Sequence, residues 1–592
     1  MKLRFASFSL LVAPLVACRS APAHGRPVVF ADITVIDATG SPAQTHRMVT
    51  ISEEKIAGIQ EYRRGSEAKT ADVIDGRGKF LIPGLWDMHV HWYDERFLPL
   101  FIANGVTGVR QMWGMEVHQQ WRQKVKDGSL VGPRQSIASP LIDGPKPVWQ
   151  GSITVQTEAE ARAAVIAVKK DGADFVKVYE KLPRDAYFAI ADQSRKEGMP
   201  FAGHVPFTVR LSEASDAGQK SIEHLTGVFI EASRQEEKIR NEVIEGVSSS
   251  GDGGWSGLVS VRLGKQVLDT FDAQKAASIY TRLAKNHTWQ TPTLTVLRAI
   301  SRLNDSTFMK DARLKYMPAS IREQWNPQND QYLNKWTVDD WAYGRALFDK
   351  ELRIVGEMHR QGVQFLAGTD TLNPFCFPGF SLHDELALLV TAGLTPMEAL
   401  QAATRSAAEY LGILDSFGTV EEGKAADLVV LAGNPLDDIT NTRKIAGVMM
   451  RGRYFPKASL EKMLADVEAV ARLKSISEPL TKALTEDGVA GTVAQYRRMR
   501  KEEPAAYDFS EDALIDFANQ LIAQKRTNDA IQILKLEVEN YPKYWSAYDS
   551  LGDAYKIAGQ KGLAITNYKR SLELEPGNGN AMAQLKAFGA QQ

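Results

Sequence analysis

The sequence predicts an α/β fold. A TIM-like (β/α)8 barrel is flanked by a small β-sandwich built from both of its ends and followed by an all-α C-terminal domain. Three observations carry this. Strand-like and helix-like segments alternate from Pro83 to about Leu414, the rhythm of a parallel sheet closed by helices. Alternating strands bracket that segment on both sides: "VVFADITVIDATG" and "MVTISEEKIAGIQ" before it, "GKAADLVVLAGNP" and "IAGVMMRGRYF" after it. Near the C-terminus, Phe517, Leu521, Ala530, Leu534 and Pro542 recur as Leu551, Tyr555, Ala564, Tyr568 and Pro576, each 34 residues later, a tetratricopeptide-like period.

The bounds are broad. With 592 residues the chain is too long for one core. It is 44% hydrophobic and 24% charged, with a formal net charge of -1. Neither that balance nor any Lys/Arg run gives a nucleic-acid footprint. The charge of the substrate stays open.

Taken in order, residues 1–18 read as a lipoprotein-type signal. Lys2 and Arg4 precede an apolar run from Phe5 to Val16, too short to span a bilayer and suited to export. "LVAC" resembles a bacterial lipobox, which implies that Cys18 is lipidated and that the protein is anchored to a membrane, facing the periplasm or exterior. Arg19 then favours the outer membrane. A plain secretory signal with a chance cysteine is the alternative. Cys376 is the only other cysteine, so no intramolecular disulfide framework exists.

Residues 28–83 form the first part of the sandwich, 84–416 the barrel and 417–457 the second part. A helical connector at 458–510 leads into repeats and a capping helix at 511–592. Within the barrel, 231–360 is less regular: "SSSGDGGWSG" is a loop, and 298–350 is a polar, Trp-containing helical insertion. It is either a lid over the site or a peripheral packing element. The repeats are either a groove for a protein or peptide partner or a docking and self-association appendage.

"GKFLIPGLWDMHVHW" carries an apolar strand up to His89 and His91. Residues i and i+2 share one face of a strand, so the two imidazoles project together and can bind one divalent metal. His204 closes "PFAGHVP", His224 closes "SIEHLTG" and Asp370 ends "VQFLAGTD", each at a strand end. Imidazole nitrogen and carboxylate oxygen suit zinc. Lys177 in "DFVKVYE" is flanked by valines; an ammonium facing a barrel interior is costly or loses its proton. A neutral amine there captures carbon dioxide as a carbamate, an anionic bridge between metals; the alternative is a lysine snorkelling to the strand edge.

The order His-x-His, Lys, His, His, Asp on successive strands resembles the amidohydrolase superfamily, in its prolidase-like and imidazolonepropionase-related branch. "PGLWDMHVH", "NGVTGVRQM", "FAGHVPF", "SIEHLTG", "TPTLTVL", "LAGTDT", "GLTPMEALQAATRSAAEYLG" and "GTVEEGKAADLVVL" carry the likeness. It implies two divalent ions, expected to be zinc. His89, His91 and Asp370 would hold one, His204 and His224 the other, with carbamylated Lys177 and a hydroxide between them. Asp370 would move the proton to the leaving amine. Arg110 is a candidate for a substrate carboxylate or a structural salt bridge. His383 reads as structural, in a helix capped by Ser381 with Asp384 completing the box. Gln111 and "DGPKPVWQG" depart from the family pattern where the substrate lies. The expected activity is hydrolysis of an amide bond in a dipeptide, N-acyl amino acid or similar small compound. Alternatives are a cyclic-amide or lactone hydrolase, and an anchored interaction protein with a scaffold barrel.

Overall fold

The computed structural model describes residues 26–590 except 68, 150, 250–260, 331–332 and 577. Cys18, its signal and most of "SSSGDGGWSG" lie outside the described residues.

Five strands, Val28–Val35, Gln44–Ser52, Lys55–Glu61, Asp72–Asp75 and Phe80–Pro83, join Leu428–Leu431, Ile445–Met450 and Arg453–Pro456 in one sheet. The seam between the two chain ends is the antiparallel pair Phe80–Pro83 and Leu428–Leu431, with Leu81 opposite Val430. At the far edge Lys55 bridges Ala425, and Ile56 N donates to Lys424 O at 2.9 Å. The sheet therefore folds over a shared core of Phe30, Ile33, Val49, Leu81, Leu428 and Met449. The expected sandwich is one sheet closed on itself.

Gly84 alone separates this sheet from the barrel. Strands Leu85–Val90, Val106–Gln111, Arg134–Asp143, Phe175–Val178, Phe201–Gly203, Ser221–Glu223 and Trp289–Thr291 follow one another in parallel register. The segment after Val363 closes the ring. Phe365 bridges Gln290 on one side, and Thr371 bridges Val90 on the other. Gly368 makes this approach possible: a Cβ there would lie 2.7 Å from the His89 Cβ and 2.6 Å from Thr291 Cγ2. Every residue of Leu85–Val90 is buried, as strands with covered faces require.

The insertion is several short pieces rather than one helix. Ala319–Gln324 is a short helix, and Val338–Arg360 returns to the barrel. Trp325 packs on Phe375 and Phe377 and donates to Leu372 O at 3.2 Å. That contact fixes the insertion against the chain just beyond Asp370.

After helices Lys457–Ala471 and Ser477–Glu502, the latter interrupted at Gly488, come Ala513–Ala523, Thr527–Asn540, Trp545–Ile557, Lys561–Leu574 and Gly579–Ala587. The residues of the 34-residue period are buried between them: Phe517, Leu521, Ala530, Leu534, Leu551, Tyr555, Ala564 and Tyr568. These helices lie over the barrel's loops. Glu116 N donates to Glu575 Oε1 at 3.2 Å, Lys586 pairs with Glu160 at 3.0 Å, and Arg96 lies 3.7 Å from Asp508. A cavity of about 920 Å³ opens between the Tyr93–Phe97 turn, the insertion and the helix Ala513–Ala523.

Candidate metal centre

The polar strand-end side chains converge inside the mouth of the barrel. His89 Nε2 lies 3.3 Å from His91 Nε2, as the shared strand face predicts. Asp370 Oδ1 is 3.2 Å from each of these nitrogens, and its Oδ2 is 3.9 Å from His224 Nε2. His89, His224 and Asp370 offer ligand atoms within 4.8 Å of one another, a possible metal-binding triad. The tightest contacts are thus among His89, His91 and Asp370, the expected first group, and His224 approaches that same carboxylate from the side of His204. The His204 ring centre stands 4.8 Å from that of His224. The buried Lys177 approaches from the fourth strand, where Gly203 admits it; a Cβ at Gly203 would come 3.0 Å from Lys177 Cδ.

Two of the candidate ligands sit where the chain turns sharply inward. His224 has φ 57° and Asp370 φ 59°, with Thr293 beside them at φ 50°. Non-glycine residues adopt this region rarely, and they do so most often where surrounding contacts fix a functional geometry.

A second layer of acceptors sets the tautomers. His89 Nδ1 meets Glu223 Oε2 at 2.8 Å, His204 Nδ1 meets Glu180 Oε1 at 2.8 Å, and His224 Nδ1 meets Thr293 Oγ1 at 2.6 Å. With a proton held on Nδ1, each Nε2 keeps its lone pair free, the form that ligates a cation. Burial pulls His91 down to about 4 and holds His204 and His224 well below the usual imidazole range, so all three are neutral. Burial opposes ionisation of Asp370, but His224 and His89 beside it keep the carboxyl well below the ordinary value. Burial draws the Lys177 ammonium down to about 8. Neutral imidazoles, an ionised carboxylate and a readily deprotonated amine form a donor set that fits divalent cations.

Arg110 takes the salt-bridge alternative. It is fully buried beneath the ligands. Its Nη2 lies 2.9 Å from Glu223 Oε1, its Nη1 2.9 Å from Ser221 Oγ and its Nε 2.6 Å from Met88 O. The guanidinium is spent on Glu223 and reaches no substrate space. Its effect is to keep Glu223 ionised: burial alone would protonate that carboxyl, and the Arg110 charge overrides it. His383 is structural, held by Thr442 Oγ1 at 3.0 Å and Asn104 O at 3.1 Å. Its helix, however, starts at Phe380 with Gly379 as cap. Ser381 lies inside the first turn and accepts from Phe377 N, while Asp384 is drawn away by Arg313 and Arg443.

Glu223, Glu180 and Thr293 escaped the sequence reading. Glu223 left a usable trace: a carboxylate inside the buried strand "SIE" must have a partner.

The amidohydrolase family profile matches residues 80–454. The chain belongs to the amidohydrolase family. It is a hydrolase acting on carbon–nitrogen bonds. Ochratoxinase of Aspergillus niger is 24% identical over 474 residues, covering 70% of this chain and 82% of that one. Imidazolonepropionase of Mesorhizobium japonicum is 44% identical over 72 residues, 12% of this amidohydrolase and 17% of the relative. Among solved structures, bottromycin amidohydrolase superposes with a TM-score of 0.60 at 24% identity, covering 76% of this chain and 91% of its own. A Xaa-Pro dipeptidase with bound methionine in its active site gives 0.54 at 20% identity, covering 73% and 100%. Both likenesses concern the fold.

Proposed function

We propose that this amidohydrolase cleaves the amide bond of a dipeptide, N-acyl amino acid or comparable small compound, using two divalent ions, zinc by donor type. His89, His91 and Asp370 would hold one and His204 and His224 the other, with Lys177 as a carbamate between them. The observation that carries this is the Asp370 carboxylate, 3.2 Å from the Nε2 atoms of both His89 and His91. When bound, the ions would lower the pKa of water and polarise the scissile carbonyl. The chain's own part is positional and protonic. The acceptors behind His89, His204 and His224 fix the rings, and Asp370, kept ionised, can take a proton and pass it to the leaving amine.

Elemental analysis of metal-repleted protein, with turnover on a dipeptide and acyl-amino-acid panel before and after chelation, tests the reading. About two ions per chain and chelator-sensitive cleavage are expected; active protein without metal would refute it. Lys177→Ala should lose most activity and regain part of it with a short carboxylic acid. Normal turnover with both metals in Lys177→Ala would make the lysine an ordinary core residue.

Two further proposals concern the chain's ends. The paired helices from Ala513 to Leu574 support the reading of the C-terminal unit as tetratricopeptide repeats, open to self-association or a peptide partner on their outward face. Export with lipidation at Cys18 rests on sequence. Among the described residues no helix is long and apolar enough to cross a membrane. Cys18→Ser should release the protein from membranes or block its processing, and unchanged retention would point to another anchor.

A further inference from the structure

An arc of aromatic side chains runs outward from the candidate metal centre along the ends of the first four barrel strands. It begins with Tyr179, whose ring centre is 4.2 Å from that of His204. Tyr179 Oη accepts a hydrogen bond from Trp149 Nε1 at 2.9 Å. Trp113 follows, 6.4 Å from Trp149, and Tyr93 stands 6.4 Å beyond it, edge to face. Tyr93 is two residues past His91 in the chain, so the arc starts on a ring packed against His204 and ends just beyond the strand that carries His89 and His91.

This arc is not core packing. Trp149 is 49% exposed and Tyr93 45% exposed, although core aromatics of this size are covered. Nor is the loop that carries Trp149 loosely held. Val148 N donates to Asp143 Oδ2 at 2.9 Å, and Ser152 Oγ donates to Trp149 O at 2.8 Å. Asp143 is itself tied to the fourth strand's end through Lys181 N at 2.7 Å. The indole is thus a fixed surface held half in solvent, and its hydrogen bond to Tyr179 sets its tilt. Beside Trp113 a cavity of about 150 Å³ is shared with Trp545 and Asn578 of the C-terminal unit, which brings those helices up to the arc.

We propose that this arc is the specificity surface of the hydrolase, and that it selects amides carrying an aromatic or flat apolar ring on the half of the substrate lying over strands one to four. The proposal rests on the metal-hydrolase reading above and names the substrate class for it. Rigid aromatic faces bind such groups at little entropic cost, and edge or offset contacts add to the area they bury. Trp149 is central because it joins the inner and outer halves of the arc.

Calorimetric binding of two hydroxamates to the full-length, metal-replete protein tests this without requiring turnover. Phenylalanine hydroxamate and alanine hydroxamate share a chelating group and differ only in the phenyl ring. The phenyl compound should bind about tenfold more tightly. Trp149→Ala and Trp113→Ala should each shrink that ratio to about twofold, and Trp149→Phe, which keeps a ring but loses the bond to Tyr179, should retain most of it. Equal binding of the two compounds to the unaltered protein, or an undiminished ratio in both alanine variants, would overturn the arc's role and leave the metal centre standing. If neither compound binds metal-loaded protein, the metal-hydrolase reading fails and takes this proposal with it.

Discussion

The floor and the mouth of the barrel are built on opposite terms. On the floor, Arg110, Glu223 and His89 are fully buried, and each main polar atom has a partner within about 3 Å. At the mouth, Tyr93 and Trp149 stand half in solvent, and Asp508, Asp512 and Asp516 share one cavity wall. The floor is a closed network in a dry interior, where electrostatic terms are large and geometry is fixed. The mouth is an open surface where single groups contribute less and can change without unfolding the barrel. Chemistry belongs to the first region and choice of substrate to the second.

The largest expected effect breaks the floor's chemistry. Asp370→Asn keeps the shape but removes the proton acceptor, so turnover should fall by about 10²–10⁴. Steady-state kinetics on the best amide of the panel, with circular dichroism to confirm folding, would show it. A loss below tenfold would remove Asp370 from proton transfer.

Next comes the buried ion pair. Arg110→Met strips Glu223 of its partner charge, so the carboxyl must either stay ionised in a dry site or take up a proton and lose its charged hydrogen bonds, which should cost about 3–5 kcal/mol of stability. Urea denaturation reads this directly. A change under about 1 kcal/mol would mean that Glu223 is neutral in the fold, and the floor would be less electrostatic than drawn here.

A smaller effect sits at the rim of the floor. Thr293→Val removes the acceptor that fixes His224 Nδ1 and should weaken metal binding by about 10–100-fold. Competition with a metal-responsive dye measures it, and Thr293→Ser should restore affinity. Unchanged affinity in the valine variant would show that the ring is held by packing alone.

The smallest effect belongs to the mouth. Burial, then the Asp512 and Asp508 charges, pushes the Asp516 carboxyl up to about 7. The unfolded chain releases this proton near pH 4, but the folded chain keeps it to about 7. The native state therefore binds more protons across that window, and stability falls as pH rises through it. Asp516→Asn should raise the melting temperature by about 1 °C at pH 8 and leave it unchanged below pH 4. A shift of the opposite sign would mean that Asp516 is stabilised as an anion.

The same division governs what could be read from the sequence. His89 and His91 were legible because the strand's two-residue period places them on one face. His204, His224 and Asp370 followed as polar residues ending apolar runs. The sheet made from both ends was visible in two sets of alternating strands. What stayed hidden is whatever depends on pairing across the fold. Arg110 looked equally suited to substrate or salt bridge until Glu223, on another strand, was placed beside it. The grouping of His224 with His89 and Asp370 depends on how strands six and one meet the closing segment after Val363 in space. The mouth was least legible, since Tyr93, Trp149, Ala319, Asp516 and Trp545 come from segments spread along most of the chain. The C-terminal period announced helices but could not say that one face of them would lie against the barrel's own loops.

The seam between Phe80–Pro83 and Leu428–Leu431 also sets the order in which the molecule can be completed. Roughly 350 residues of synthesis separate the two partners, and at about 5–20 residues per second that is a delay of roughly 20–70 s. Throughout it the N-terminal strands exist, but the strand Phe80–Pro83 has one ladder edge with nothing to pair with. An unpaired apolar edge is a template for wrong partners. A nascent chain of this protein therefore depends on whatever keeps that edge covered until the ribosome has passed Leu431.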